Sequence, residues 1–221
     1  MSTTLSEQLE EYRAGWMQRV PAERQAVMER HIAHLAEAGI ARHAKQVGDQ
    51  APPIKLPDAH GNAFDVATLL GRGPVVVTFY RGGWCPFCNL ELKAYQNVLP
   101  RIAAAGANLV AISPEKPDDS MNTAEKNALT FAVLSDVGQK VGKAFGLVYE
   151  FTDELRTVYD GFKLDIPEKN GKPGEWSLPL SATYVIGSDG RILFADLGVD
   201  YRDRTDPLNV LQLLEHRAAA E

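Results

Sequence analysis

The chain has 221 residues, 45% of them hydrophobic and 24% charged, which is the composition of a globular protein long enough to bury a core. Its formal net charge is −6 at pH 7, so it lacks the excess of Lys and Arg with which proteins bind nucleic acids or acidic membranes. We therefore expect no nucleic-acid partner and no membrane partner.

The sequence carries no sign of membrane insertion or export. No apolar run approaches the length of a transmembrane helix, and the opening stretch, MSTTLSEQLEEYRAGW, has no basic start followed by an apolar segment. We expect a cytoplasmic protein. Thiols stay reduced in that compartment, so a stable structural disulfide is not expected.

Residues 1–47 form a region of their own, rich in Ala, Glu and Arg. One helix is predicted from about Ser6 to Arg19, and a second begins near Pro21, because proline suits the first turn of a helix. We interpret the region as an N-terminal helical extension that packs on the main domain or on a second subunit.

Residues 48–221 alternate strands with helices. The β-branched run PVVVTFY predicts a central strand buried on both faces, and ANLVAIS and FAVLSD predict two more, with helices between them. The segment ATYVIGSDGRILFADLG predicts a β-hairpin, and DPLNVLQLLEHRAAAE the closing helix. Residues 146–178 have mixed charge, and we expect them to be the least regular part. The order predicts an α/β fold whose mainly parallel sheet is made mixed by the hairpin and is flanked by helices.

Both cysteines of the chain, Cys85 and Cys88, lie in the segment FYRGGWCPFCN, where the first strand ends and a helix begins. Pro86 fits the first helical position, so Cys85 caps the helix and Cys88 follows one turn along the same face, close enough for a disulfide. The free N–H groups and the positive dipole of a helix start stabilise a thiolate, and Arg81 adds a second positive charge. The spacing therefore favours redox chemistry by the pair.

A zinc site and a purely structural role fit the cysteine pair less well. A zinc site needs two more ligands, but the chain has no other cysteine, and His60 and His216 are far apart in the sequence with no ligand spacing. Two buried structural cysteines would have no reason to lie at a strand-to-helix junction behind a tryptophan. We expect no metal and no cofactor.

Aromatic residues surround the cysteine pair in the sequence. Trp84 can shield one side of the site from water, and Tyr80, Phe87 and Trp176 can line an apolar rim for an organic substrate with it. The alternative for these residues is ordinary packing, and for Arg81 it is a surface cation.

The stretches FYRGGWCPFCNLELKAYQ, VGDQAPPIKLPDAHGN and ATYVIGSDGRI resemble the alkyl hydroperoxide reductase/thiol-specific antioxidant family of peroxiredoxin-like proteins, from about Gly48 to the C-terminus. The resemblance implies a thioredoxin-like fold in residues 48–221. It also implies a thiol-dependent peroxidase that reduces hydrogen peroxide or organic hydroperoxides and is recycled by a dithiol donor such as thioredoxin. A homodimer is expected only by analogy.

The resemblance leaves the order of the two thiols open. The peroxiredoxin pattern Pro-x-x-x-Thr-x-x-Cys puts the attacking thiol at Cys88, the threonine at Cys85 and the proline at Arg81. The thioredoxin pattern Trp-Cys-x-x-Cys matches fully and nominates Cys85, with Cys85 the more exposed and Cys88 semi-buried. Ser181 aligns where peroxiredoxins carry an active-site arginine, so Arg81 is the candidate substitute for polarising the peroxide.

Two further functions remain open. One is a thiol–disulfide oxidoreductase without peroxidase activity, which the thioredoxin-type motif supports. The other is a redox-sensing module, whose disulfide would switch the N-terminal helices or a partner surface.

Overall fold

A computed structural model describes residues 4–219, which form ten helices and nine strands. The helices are α1 (Leu5–Arg19), α2 (Ala22–Ala38), α3 (Ile40–His43), α4 (Ala67–Leu70), α5 (Pro86–Ala104), α6 (Pro117–Lys126), α7 (Lys140–Ala144), α8 (Asp153–Gly161), α9 (Ile166–Lys169) and α10 (Pro207–Ala218). The strands are β1 (Lys55–Pro57), β2 (Ala63–Asp65), β3 (Val75–Phe79), β4 (Asn108–Ser113), β5 (Ala132–Ser135), β6 (Val148–Glu150), β7 (Ser177–Pro179), β8 (Ser181–Ile186) and β9 (Ile192–Gly198).

The central sheet has five strands in the order β5-β4-β3-β8-β9. β3 runs parallel to β4, and β4 to β5, whereas β8 is antiparallel to both β3 and β9. The predicted α/β fold with a central mixed sheet is confirmed. The sheet is less parallel than expected, because the hairpin of β8 and β9 adds to the edge of β3 and makes two of the four pairings antiparallel.

Strand β3 is buried on both faces, as its unbroken apolar run predicts. One face is covered by α1, α5 and α10, which contribute Leu9, Leu92 and Leu211 to one core cluster. The other face carries a second cluster that includes Met28 of α2 and Leu155 of α8. Helices therefore flank the sheet on both sides, and the cysteine segment follows directly after the carboxyl end of β3.

The two predicted N-terminal helices are present. Thr4 caps α1 in a reciprocal capping box with Glu7, and α2 ends at Gly39 in the left-handed conformation. The division of the chain into an extension and a domain at residue 47 stays a prediction.

The expectation that residues 146–178 are the least regular part is wrong, because four elements lie there and residues 44–74 contain fewer. β6 pairs with β7, and α8 is capped by Thr152, whose hydroxyl accepts a hydrogen bond from the Leu155 N–H at 3.3 Å. These elements are only three to nine residues long, so no periodic pattern develops in the sequence, and buried side chains such as Tyr159 and Ile166 hold them in place. Within residues 4–219 no helix is long and apolar enough to cross a membrane.

Candidate active site

The loop between β3 and α5 needs both of its glycines. Gly82 has a φ of 145°, and a Cβ there would collide with the Trp84 indole. A Cβ on Gly83 would collide with the hydroxyl of Thr123 on α6. The glycine pair therefore allows the loop to pack directly against its neighbours and turn into the helix.

Side-chain hydrogen bonds hold this loop. The Asn89 amide donates to the carbonyl oxygens of Gly83 at 2.8 Å and Cys85 at 3.1 Å, and Asn127 donates to Asn89 at 2.8 Å. The Gly83 N–H donates to Glu115 at 2.7 Å. Burial raises the pKa of Glu115 to about 7, although the Gly83 N–H opposes the rise. Hydrogen bonds from Asn89 and Asn127 and to Glu115 thus hold the helix start that carries the thiols.

Cys85 caps α5 and Pro86 occupies its first turn, as the spacing predicts. The guanidinium Nη1 of Arg81 lies 3.9 Å from the Cys85 sulfur. Burial alone would raise the pKa of Cys85, but the hydrogen bond from the Cys88 thiol and the positive charges of Arg81 and Arg204 outweigh it and lower the pKa to about 5. Cys85 therefore carries a thiolate at neutral pH.

Arg81 is a buried cation, only 2% exposed, and not the surface residue of the alternative interpretation. Its Nη2 donates to the Tyr159 hydroxyl. Its guanidinium carbon lies 4.2 Å from the ring centroid of Tyr201 and 5.0 Å from that of Trp84. These aromatic faces shield the cation from water without cancelling its charge.

Cys88 is fully buried and has an arginine of its own. The Nη2 of Arg204 lies 3.3 Å from the Cys88 sulfur, and its Nε lies 2.9 Å from a carboxylate oxygen of Glu91. Burial and the neighbouring Cys85 raise the pKa of Cys88. Burial also raises the pKa of Glu91 to about 8, against the charge of Arg204. The expectation that Cys85 is exposed and Cys88 semi-buried is wrong, because the two are 1% and 0% exposed.

Only Cys85 of the two thiols lines a cavity of about 220 Å³ next to the helix start. Most of the residues that line this cavity are apolar, and they come from four parts of the chain. The N-terminal helices and their corner contribute Tyr12, Trp16, Val20 and Met28, and the thiol segment contributes Arg81, Trp84, Pro86 and Phe87. The other lining residues are Tyr159, Phe162 and Leu164 of α8 and the loop after it, and Tyr201. A hydroperoxide with a carbon arm fits this environment, since its oxygens can meet the Arg81 cation and its arm the apolar walls.

The predicted aromatic rim is only partly assembled. Trp84 and Phe87 line the cavity, but Tyr80 and Trp176 do not. Tyr80 is fully buried in the core cluster beneath the thiol segment. Trp176 packs on Phe151 with ring centroids 5.8 Å apart.

Ser181 lies on the Cys88 side of the site. It is buried at the start of β8 and lines a small polar cavity of about 60 Å³ together with Glu91 and Arg204. The loop after β9 thus brings an arginine to the region where the family resemblance expects one from Ser181. Sequence reasoning missed Arg204 and Tyr201, because they lie more than a hundred positions from the cysteines and no local pattern marks them.

Among residues 4–219 no group of three or more His, Cys, Asp or Glu side chains is arranged to hold a metal ion.

Comparison with known proteins gives one consistent family. Residues 47–195 match the model of the AhpC/TSA family. A putative peroxiredoxin of Mycobacterium tuberculosis is 32% identical over 152 residues, covering 69% of this chain and 85% of the relative. Peroxiredoxin Bcp of Escherichia coli is 32% identical over 116 residues, covering 52% of this chain and 73% of the relative.

Solved structures agree on the fold. The crystal structure of peroxidoxin BcpB from Mycobacterium tuberculosis superposes with a TM-score of 0.61 at 22% identity, covering 77% of this chain and 97% of that one. Helices α1 and α2 lie before the residues that the family model matches, and the loop with Tyr201 and Arg204 lies after them.

Proposed function

The chain belongs to the AhpC/TSA family and is a thiol-dependent peroxidase of the peroxiredoxin type, and we propose that Cys85 attacks the peroxide and Cys88 resolves the product. This order rests on which of the two sulfurs a peroxide can reach. The Cys85 sulfur borders the 220 Å³ cavity beside Arg81, whereas Cys88 lies behind it against Arg204. The lowered pKa of Cys85 and the raised pKa of Cys88 agree with this assignment.

The first step transfers one oxygen atom. The Cys85 thiolate attacks the hydroperoxide oxygen that carries the hydrogen, an S–O bond forms, and the O–O bond breaks. Cys85 is oxidised to a sulfenic acid, and the peroxide is reduced to an alkoxide, or to hydroxide from hydrogen peroxide, which takes a proton from water. Arg81 stabilises the thiolate before attack and the negative oxygen that leaves.

The second step stays within the motif. Cys88 loses its proton and attacks the sulfenic sulfur of Cys85, an S–S bond forms, and the departing hydroxide takes up a proton as water. One helical turn separates the two residues, so only a small movement of the helix start is needed. The positive charge of Arg204 beside the Cys88 sulfur favours the thiolate that this step requires.

A thiol reductant must then return the disulfide to two thiols. The family implies such a reductant, and we propose a dithiol protein such as thioredoxin, which reduces the bond in two exchange steps. A cytoplasmic location and a homodimer stay predictions of the sequence.

The order of attack is tested with Cys85→Ser and Cys88→Ser in a single turnover with hydrogen peroxide and a sulfenic-acid trap such as dimedone. We expect Cys88→Ser to consume one equivalent of peroxide and to carry the trap on Cys85, and Cys85→Ser to consume none. If Cys88 is trapped in the Cys85→Ser variant and nothing is trapped in Cys88→Ser, the order is reversed, as the peroxiredoxin alignment predicts.

The wild type tests the function itself. Peroxide-dependent oxidation of a dithiol donor over many turnovers is the expected result. Brisk disulfide exchange without peroxide consumption would indicate the thiol–disulfide oxidoreductase instead. A single slow oxidation with a large change in proteolysis would indicate the redox sensor.

A further inference from the structure

The cavity wall opposite Cys85 comes from a part of the chain that the family model does not match. Tyr12 and Trp16 of α1 and Met28 of α2 line the cavity, whereas the matched segment begins at residue 47. We propose that α1 and α2 form a substrate-selecting wall, in which Tyr12 and Trp16 favour hydroperoxides with a compact apolar arm. The inference rests on the proposed attack by Cys85.

The wall meets the reactive helix directly. The Tyr12 ring packs edge-on against Phe87, with centroids 5.1 Å apart and an interplanar angle of 86°. Phe87 lies between the two cysteines and is itself 5.8 Å from the Tyr201 ring. Helix α1 is therefore in contact with the residue that separates the attacking thiol from the resolving one.

Among the described cavities, the one that Cys85 lines is bounded by this wall. The Cys85 side chain is 1% exposed, so a peroxide has to enter the cavity to meet the sulfur. Arg81 is the only charged residue among the cavity-lining residues described, and aromatic and aliphatic side chains make up most of the rest. With its oxygens beside Arg81 and Cys85, a hydroperoxide would direct its carbon arm against the apolar walls, which include Tyr12 and Trp16.

The size of the cavity limits that arm. At about 220 Å³ it is smaller than the roughly 300–1,000 Å³ of sites that hold drug-sized ligands. A branched butyl group or a single aromatic ring is an arm of suitable size for this space.

Several contacts fix the wall to the body of the protein. Arg202 bridges to Glu29 of α2 with nitrogen–oxygen distances of 2.5 and 3.0 Å, and its own side chain is 2% exposed. Arg24 of α2 donates to the Gly161 carbonyl oxygen at 3.2 Å, and Arg30 pairs with Glu154 at 3.0 Å.

The corner between α1 and α2 is also fixed. The side-chain amide of Gln25 donates to the carbonyl oxygens of Met17 at 2.8 Å and Val20 at 2.7 Å. A wall held at a constant distance from Cys85 can discriminate between substrates by shape, whereas a freely moving segment cannot.

The test compares kcat/KM for cumene hydroperoxide with kcat/KM for hydrogen peroxide, in the full-length wild type and in Trp16→Ala. Cumene hydroperoxide has an apolar arm that contacts the wall, and hydrogen peroxide has none. We expect the ratio of the two values to fall about tenfold in Trp16→Ala, the scale of discrimination that apolar pocket contacts provide.

Met17→Ala is the matched control, because Met17 is the next residue on the same helix and its side chain is 48% exposed. An unchanged ratio in Trp16→Ala, or an equal fall in Met17→Ala, would overturn the inference. Trp16→Phe keeps an aromatic ring and replaces the alanine variant if that variant does not fold. The ratio of the two kcat/KM values should fall by a smaller factor in Trp16→Phe. An unchanged ratio in Trp16→Phe would overturn the inference. Failure of the proposed function would give a different result: the wild type would turn over neither peroxide. Dimedone bound to Cys88 alone would contradict the attack by Cys85.

Discussion

Cys85 and Cys88 lie one helical turn apart, and each has a buried arginine beside its sulfur, but the two arginines have different partners. Arg81 is surrounded by aromatic faces and the Tyr159 hydroxyl, and among residues 4–219 it makes no ion pair. Arg204 is paired with the carboxylate of Glu91 at 2.9 Å.

Burial and the hydrogen bond between the two thiols separate their pKa values, while both arginines favour the thiolate forms. The charge of Arg81 is left to act on Cys85, where it contributes to a pKa lowered to about 5. Arg204 and Arg81 also favour a Cys88 thiolate, but burial and the neighbouring Cys85 keep the pKa of Cys88 above its ordinary value. A cation lowers the pKa of a buried thiol only where its charge outweighs the cost of burial.

The largest expected effect is on the stability of the Cys88 side. Arg204→Leu removes the partner of the buried Glu91 carboxyl, which is largely protonated at pH 7 because burial raises its pKa to about 8. We expect the unpaired polar group to lower the free energy of unfolding by about 2 kcal/mol. Urea unfolding of the reduced protein at pH 7 measures this loss. The double variant Arg204→Leu/Glu91→Leu should recover most of the stability, since it leaves no unpaired polar group in the core. A loss below about 1 kcal/mol in the single variant would contradict a strong pair.

The second prediction concerns the reactivity of the two thiols in the reduced wild type. With a pKa near 5 Cys85 is almost wholly thiolate at pH 7, whereas the raised pKa of Cys88 leaves fewer than about one Cys88 in a hundred ionised. Iodoacetamide should therefore label Cys85 about 100-fold faster, as measured by peptide mass mapping at early times. Cys88→Ser should leave the labelling of Cys85 fast, and faster labelling of Cys88 in the wild type would refute the contrast.

The third prediction removes the charge that activates Cys85. Loss of an opposite charge at this distance raises a pKa by roughly 1–3 units, so Arg81→Leu should move the pKa of Cys85 from about 5 towards 7. The thiolate fraction at pH 6 then falls by roughly tenfold, and the alkylation rate falls with it. The rate measured between pH 4 and pH 9 gives the pKa directly. Arg81→Lys keeps a charge and should shift the curve less; an unmoved curve in Arg81→Leu would show that Arg81 does not activate the thiol.

The smallest effect is expected from a single hydrogen bond on the polar side. The Thr205 hydroxyl donates to Asp196 at 2.9 Å beside the small cavity that Glu91 and Arg204 line. Thr205→Val should lower the free energy of unfolding by about 1 kcal/mol. The pH profile of Cys85 alkylation should not move, because Thr205 does not line the cavity that Cys85 faces. A shifted profile would mean that the two sides of the helix start are coupled.

The strand, glycine loop and helix around the cysteines are predictable because their determinants are local. An apolar run defines β3, two glycines allow the turn, and Pro86 starts α5, all within about fifteen positions. The proximity of Cys88 to Cys85 and of Arg81 to the Cys85 sulfur also follows from short spacing.

The other partners of the thiols are set by tertiary contacts. Arg204 contacts Cys88 although 116 positions separate them in the sequence. Tyr12 of α1 contacts Phe87 of α5, and strands β1 to β3 lie between the two residues in the sequence. No periodicity or motif connects such residues, since each belongs to an element whose own pattern is explained by ordinary packing. The expected cluster of Tyr80 and Trp176 with Trp84 failed for the same reason: aromatic character alone does not say which face of an element a side chain occupies.

The sequence by itself determined the fold class and the family and marked the two candidate redox residues, because these depend on local spacing and on matched stretches. Only the tertiary structure decided which thiol borders a cavity, which arginine lies beside each sulfur, and that α1 and α2 line the same cavity as Cys85. The physical reason is that burial and charge interactions depend on every element packed around a group, so two sulfurs three positions apart differ in access and in pKa.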